Sequence, residues 1–580
     1  MSRKNGTAIS KQKNTEGGEM IRLVMSIRNA GIGGFALFFI FCSSVVAAVT
    51  IKDTAITWHT NSYSIRADYG LISAQANTSV AKTFNALVID NEFLKIILVP
   101  EFGGRIVSMV YKPTNHQELY TNQCGVPYGI NAGNFYYNWL MVYGGIMPTF
   151  SEPEHGKFWL RPWHYQIVKQ TTDTVSVQMD QKDTVAFGGK PGKFAYGATG
   201  IECVFTVSIV TGRNYIDIGV VLTNPSTQSK NFEYWTMTTL APGSSQSDPR
   251  CTAGAELITP IKNVNIPGSY GAIRGQEQNV GGNVFTFNKL RWWKNWPDMG
   301  IAYAWPDAST PLNTFWGVIN HDDREGIIRV SNNDQTIGLK IWAWSFPLSV
   351  NSNSGTNLPY LELWAGVSQQ FFSAAQIGAG QQKIWKEYFV PTVKCDSVTH
   401  ANQEVVCNFK TDKTSYNAST DAGVTITAQM LFTAPNQQDK VSLSFGGSQT
   451  VVVLDSNITT DPLGNVITKT VPFSNLCNGL NKVTLKAVSS QNAQLISADI
   501  PIVITNGQPC TVLGTISPLR LQHASGFGKA GTARVYSLDG RLVSVLKNEA
   551  GAGKLRLGKG VYFLTTENNR SGKMVRFNVQ

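Results

Sequence analysis

After residue 50 the chain offers strand after strand and no long segment whose apolar residues repeat every 3.6 positions. Runs such as Phe93–Val99 (FLKIILV), Cys203–Val210 (CVFTVSIV), Tyr215–Leu222 (YIDIGVVL) and Gly338–Phe346 (GLKIWAWSF) are β-branched and aromatic, with Gly, Asn, Asp or Pro at their bounds. Such side chains pack well on a pleated surface, and the bounding residues supply the turns between them. Over residues 49–392 this pattern predicts one large antiparallel sandwich rather than a parallel α/β sheet. The texture changes near Tyr388–Lys394 (YFVPTVK). Residues 393–510 are rich in Thr, Ser and Val, with strands expected at Val424–Met430, Lys440–Phe445 and Lys482–Val488. That length and spacing predict an immunoglobulin-like sandwich. A third β unit is expected at residues 511–580, where ARVYSLDGRLVSVL (Ala533–Leu546) reads as a hairpin turning at Asp539-Gly540. The expected fold class is all-β throughout.

Residues 1–48 read as an export signal. Arg22 and Arg28 precede an apolar run, Gly31–Ala48, that ends in Val46-Ala47-Ala48, a small-residue cleavage pattern. A membrane anchor is the other use of such a run, but its Gly and Ser content and its ending favour cleavage. Seven cysteines would remain, and in an exported protein some should pair. Cys395 with Cys407 and Cys477 with Cys510 are the expected pairs, because each lies within one short unit. No C-x-x-C spacing appears, so no zinc site is expected.

The net charge of +11 suggests nucleic acid only until it is located. Residues 1–48 carry six Lys/Arg against two Asp/Glu, and residues 511–580 carry eleven against three. The 462 residues between them therefore sit near −1. A nucleic-acid groove would need its positive charge in the main unit, so that class of partner is excluded.

Function is sought first at Asn134–Tyr165, NFYYNWLMVYGGIMPTFSEPEHGKFWLRPWHY, which holds ten aromatic rings in 32 residues. Aromatic faces stack on sugar C–H faces, and charged groups among them orient a ligand or move protons. Tyr143, Trp159, Trp163, Arg161, His155 and His164 are the candidates in this stretch. Arg291–Trp296 (RWWKNW) is a second aromatic cluster, with Trp293 as its candidate sugar platform. His321-Asp322-Asp323 reads as a solvated turn rather than a metal site. No metal is assigned, and a Ca²⁺ ion has no support in the sequence.

Three motifs follow one another in the main unit. Leu94–Tyr120 is a strand, a Gly103-Gly104 turn and a returning strand; His155-Gly156 leads to Arg161-Pro162-Trp163; and Leu361-Glu362-Leu363-Trp364 comes near the end. In this order they resemble the galactose-mutarotase (aldose 1-epimerase-like) superfamily over roughly residues 50–390. The resemblance implies a β-supersandwich with its site on a concave sheet face. It also implies sugar-binding roles for His155 and Arg161, and a general base at Glu362. One departure stands out. The epimerases place a second histidine, the general acid, shortly after a V-T-N strand end. Here Val221–Asn224 is followed by Phe232–Met237 without a histidine. His164 and Tyr143 are the substitutes that the sequence offers.

Superfamilies of this fold also contain polysaccharide lyases, which need a cation on the uronate, a base and an acid. Arg161 or Arg105 could neutralise, with His155, His164 or Tyr143 as base or acid. A hydrolase would need two carboxylates, ~5–5.5 Å apart for retention or ~6.5–9.5 Å for inversion. Glu152, Glu154, Asp298 and Glu362 are available. The expected function is a carbohydrate-active protein acting on a glycan, as a lyase or an epimerase-like enzyme. The alternative is a non-catalytic cell-surface glycan-binding protein, which the missing histidine favours.

Finally, the Val535–Val543 hairpin (VYSLDGRLV), then GVYFL and the terminal GKMVRFNV, resemble the carboxy-terminal sorting domain of the bacterial type IX secretion system. That resemblance implies the secretion machinery as a partner and a secreted or cell-surface location in a Gram-negative bacterium.

Overall fold

The computed structural model describes residues 48–507, except Asn61, 66–70, 75–79, 122–123, 126–143, 153–154, Leu160, 187–195, 307–312, Asn333, 344–349, 352–356, 359–360 and 447–449. It also describes the strands Ala533–Ser537, Leu542–Leu546, Gly560–Thr566 and Val575–Val579. The expected export signal, Tyr143, Glu154 and Cys510 lie outside the described residues.

Two large sheets dominate, one of sixteen strands and one of eight. The eight-stranded sheet shows its logic most plainly. Glu202–Val210 and Ile216–Thr223 alternate buried and half-exposed along their whole length. Cys203, Phe205, Val207 and Ile209 face inward with Ile216, Ile218, Val220 and Leu222. Period-two alternation sends one set of side chains to the core and the other outward. The core between the sheets also takes Leu94, Ile96 and Leu98 from one sixteen-stranded-sheet strand and Leu361, Leu363 and Ala365 from another.

The sixteen-stranded sheet is covered on its second face as well. Trp58, Phe84, Val99, Phe102, Val107, Met147, Trp159, Trp235, Met237, Tyr303, Trp364 and Phe371 form a separate cluster there. Strand Leu361–Gly366 is consequently buried at all six positions. A buried ion pair lies between the sheets. Arg329 Nε donates to Glu387 at 2.6 Å, and Thr236 Oγ1 and Trp385 Nε1 donate to the other Glu387 oxygen at 2.7 and 2.8 Å. Both Glu387 oxygens thus have donors, which is what makes burial of that carboxylate tolerable.

Between residues 400 and 505 a four-stranded and a five-stranded sheet enclose a core of their own. Strands Val424–Phe432, Gln438–Gly446 and Gly479–Val488 contain the runs expected from sequence. The outer face of the four-stranded sheet packs Val406 and Leu431 on Ile319, Ile328, Val330 and Val390 of the eight-stranded sheet. Cys395 and Cys407 are free thiols, contrary to the expected pairing. The reason is register: Cys407 points into the inner core, whereas Cys395 lies in the cluster on the sheet's opposite side. The expected pairing of Cys477 with Cys510 falls outside the described residues, because Cys510 does. Near the carboxy terminus, Ala533–Ser537 pairs antiparallel with Leu542–Leu546, as the hairpin reading requires, within one four-stranded sheet.

Candidate functional site

The sequence motifs meet on the second face of the sixteen-stranded sheet. Gly103 adopts φ +76°, and a Cβ there would lie 2.2 Å from the Trp159 carbonyl oxygen. Gly156 adopts φ +69°, and its Cβ would lie 2.4 Å from backbone atoms of Phe150. Only glycine combines that backbone with such close approach. The Gly103 N–H also donates to Arg161 O at 2.8 Å. The Gly-Gly turn and the His155–Arg161 segment are therefore interlocked, and together they set His155 and Trp159 over the sheet.

Beneath them, Glu362 and Trp364 share one face of their strand, two residues apart. Register places Trp342 opposite Glu362, and Lys340 opposite Trp364. His155 Nε2 stands 3.9 Å from Glu362 Oε1, and Lys340 Nζ is 3.6 Å from Glu362 Oε2. Trp364 Nε1 donates to that second oxygen at 2.8 Å. The His155 ring lies 4.6 Å from Trp159 and 5.1 Å, edge-on, from Trp364. The Lys340 ammonium sits over Trp364 at 4.2 Å and Phe371 at 4.4 Å. Arg105, fully buried, donates to Phe102 O at 3.0 Å and Trp159 O at 3.2 Å, with its guanidinium 5.6 Å from the Trp159 ring.

Burial holds the His155 imidazole well below its ordinary pKa, and the Lys340 and Arg105 cations push it the same way. His155 is therefore neutral near pH 7. Its Nδ1 is buried without a hydrogen-bond partner among the described residues. A neutral imidazole and a carboxylate 3.9 Å apart are too far to bond each other. A hydroxyl between them could donate to Glu362 and bond His155 at once.

The other candidates are dispersed. His164 is not brought to this face: it begins the exposed edge strand His164–Gln170 and pairs with Asp180 at 2.9 Å, with its side chain 68% exposed. Trp163 and Trp293 do not line a site, because both are buried in the core between the sheets. Arg161 is half-buried and stacks on Phe158 at 5.3 Å. Asp298 is exposed and caps the Met299 N–H. His321 pairs with Glu256 at 2.7 Å, while Asp322 accepts from Thr252 and Asp323 from Asn320. Among the described residues no three His, Cys, Asp or Glu side chains are arranged to hold a metal ion.

Glu152 belongs to a second buried group. It accepts the Tyr196 N–H at 2.8 Å and lies 3.8 Å from Lys157, whose main partner is Asp183 at 3.0 Å. Tyr196 Oη donates to Glu233 at 3.3 Å, and Trp235 Nε1 donates to its other oxygen at 3.2 Å. Burial raises the Glu233 pKa to about 8, so this carboxyl is mostly protonated at neutral pH. Glu233 occupies the stretch where a second histidine was sought. Register puts Trp235 opposite Gly366 and Thr238 opposite Leu363, so Glu233 lies six residues along the strand from the Glu362 row. At ~3.3 Å per residue that is roughly 20 Å.

Sequence reasoning missed Lys340, Trp364 and Phe371. Lys340 carried a signal: a lone charge inside GLKIWA, a strand apolar on both faces, needs a buried partner.

Against known proteins, a family profile described as a domain of unknown function (DUF5107) matches residues 67–392, more than half of the chain. Among solved structures, a TPR-domain containing protein from Parabacteroides distasonis is 16% identical with a TM-score of 0.46, over 60% of this chain. The chain spans 55% of that protein's length. A galactose mutarotase-like protein from Clostridium acetobutylicum is 9% identical with a TM-score of 0.36, over 53% of this chain and 95% of that one. Another, from Lactobacillus casei, is 11% identical with a TM-score of 0.34, over 53% and 99%.

Proposed function

The chain belongs to the DUF5107 family, and we propose that its main unit is a carbohydrate-active domain performing epimerase-like proton transfer on a sugar. The observation that carries this reading is the His155–Glu362 pair, 3.9 Å apart beneath Trp159 and over Trp364. Glu362 accepts the proton of a sugar hydroxyl. Lys340 stands 3.6 Å from one carboxylate oxygen, and Trp364 Nε1 donates to that same oxygen and fixes the group's orientation. His155, neutral, orients the same hydroxyl, and the rings supply the apolar wall. A lyase reading is weaker, because the nearest cations are engaged: Lys340 with Glu362, and Arg105 with two backbone carbonyls. A hydrolase reading is weaker, because the candidate Glu152 is engaged by Tyr196 and Lys157.

Non-catalytic glycan binding on the same wall is the second reading. The roughly 20 Å between the rows of Glu233 and Glu362 favours it, because the Glu233 acid then does not stand opposite the base. Anomer exchange followed by NMR over a panel of neutral aldoses separates the two. Catalysis predicts exchange above the spontaneous rate, abolished in Glu362→Gln. Binding without exchange favours the second reading, and neither binding nor exchange sinks both.

The reading extends to location. The protein is exported and displayed by a Gram-negative cell, with residues 511–580 engaging type IX secretion. Removing those residues should leave the protein inside the cell envelope; unchanged release would refute the sorting role.

A further inference from the structure

A second cleft, of about 350 Å³, opens far from His155 on the outer face of the eight-stranded sheet. Its lining comprises Ser331, Asp334, Gln335, Ile384, Lys386, Tyr388 and the turn residues Asn402 and Gln403. The turn comes from the 400–505 sandwich, so the cleft is closed on one side by that sandwich and on the other by the sheet. We propose that this cleft binds a neutral sugar residue, with Tyr388 as the stacking platform and the Gln335 and Gln403 side chains as hydrogen-bonding groups.

The platform is built, not incidental. Tyr388 is half-buried and meets Tyr215 edge-on at 5.3 Å, and Gln403 Nε2 donates to Tyr215 Oη at 3.1 Å. That contact couples the turn to the ring pair. Beside the ring, Ile384 is 59% exposed, an aliphatic surface next to an aromatic one at the mouth of a polar cleft. Opposite Lys386 stands Gly219, which leaves the neighbouring sheet surface without a side chain. Burial, reinforced by the Asp217 charge, pushes the Tyr388 hydroxyl above its ordinary range, so it stays protonated.

Charge decides the ligand class. Among the described lining residues Lys386 is the one cation, and it is paired with Asp217 at 2.7 Å. Asp334 adds a negative charge. A phosphate, sulfate or uronate would meet no uncompensated positive group there. A purely apolar ligand would leave amides and hydroxyls unpaired. A neutral polyol uses both the ring and the amides, and ~300–1,000 Å³ is the usual size of a small-molecule pocket. The Asp334 and Gln335 side chains make no hydrogen bond within the described residues, so they are available to a ligand. The sugar class follows from the cleft's own chemistry and stands whether or not His155 and Glu362 catalyse.

The test is binding of neutral oligosaccharides to the full chain carrying Glu362→Gln and His155→Ala, which silences the first site. Titration against a panel of neutral gluco-, galacto-, manno- and xylo-oligosaccharides should still show binding in that background. Adding Tyr388→Ala should weaken it at least about tenfold, as loss of an aromatic platform does. Gln335→Ala, at a surface turn, should weaken it severalfold with the thermal transition unchanged, which separates ligand loss from misfolding. No binding by the silenced chain overturns the proposal. So does binding that survives both Tyr388→Ala and Gln335→Ala.

Discussion

The two faces of strand Leu361–Gly366 solve different problems with adjacent residues. Leu361, Leu363 and Ala365 enter an aliphatic core, where each contributes through area removed from water. Glu362 and Trp364 enter an aromatic layer, where a carboxylate is 4% exposed and depends on Lys340 and an indole N–H. The first face tolerates any apolar residue of similar volume. The second tolerates less change, because Glu362, Lys340 and Trp364 hold one another. On the proposed reading, the second face is the one that meets a sugar.

The largest effect should come from breaking the charge pair. Lys340→Met removes the ammonium from beside the buried Glu362 carboxylate and should cost about 3–5 kcal/mol by urea denaturation. Adding Glu362→Leu should recover most of it; no recovery would mean that Lys340 serves packing alone. Next, Leu363→Ala on the aliphatic face should cost about 2–5 kcal/mol. It should leave sugar binding intact once the protein is folded, whereas a matching loss of sugar binding would erase the contrast between the faces.

Smaller effects are pH-dependent. Glu233 has its pKa raised by burial from 4.5 to about 8. Its contribution is therefore favourable at low pH and is lost as pH rises from 4.5 through about 8. Glu233→Gln should flatten the stability profile across that window, and an unchanged profile would contradict the raised pKa. His155 works in the opposite direction. With its pKa depressed below 6.5, stability is fully present above 6.5 and is lost as pH falls toward the folded-state value. His155→Gln should remove part of that acid sensitivity, the smallest of these changes.

Much of this was legible in the sequence. Alternation in Glu202–Val210 and Ile216–Thr223 announced both strands and their inward faces. Gly103-Gly104, His155-Gly156 and Glu362 stood in an order that their contacts now explain. What stayed illegible was whether an aromatic residue faces a core or a site. Trp163 and Trp293 look like Trp159 in sequence, yet they lie between the sheets, while Trp159 is placed by a glycine turn more than 50 residues earlier. His164 adjoins the right motif, but one residue past Trp163 the chain has entered the edge of the other sheet. Short-range pattern fixes which way a side chain alternates. Which layer lies on that side depends on long-range pairing.

The central claim is that His155 and Glu362 together hold a sugar hydroxyl. ¹⁵N NMR of the His155 imidazole, assigned by comparison with His155→Gln, tests it most directly. The account predicts a neutral ring that does not titrate near 6.5, whose nitrogen shifts move on adding a neutral sugar in the native protein but not in Glu362→Gln. An imidazole that titrates at the ordinary value, or that is indifferent to every sugar offered, would contradict it.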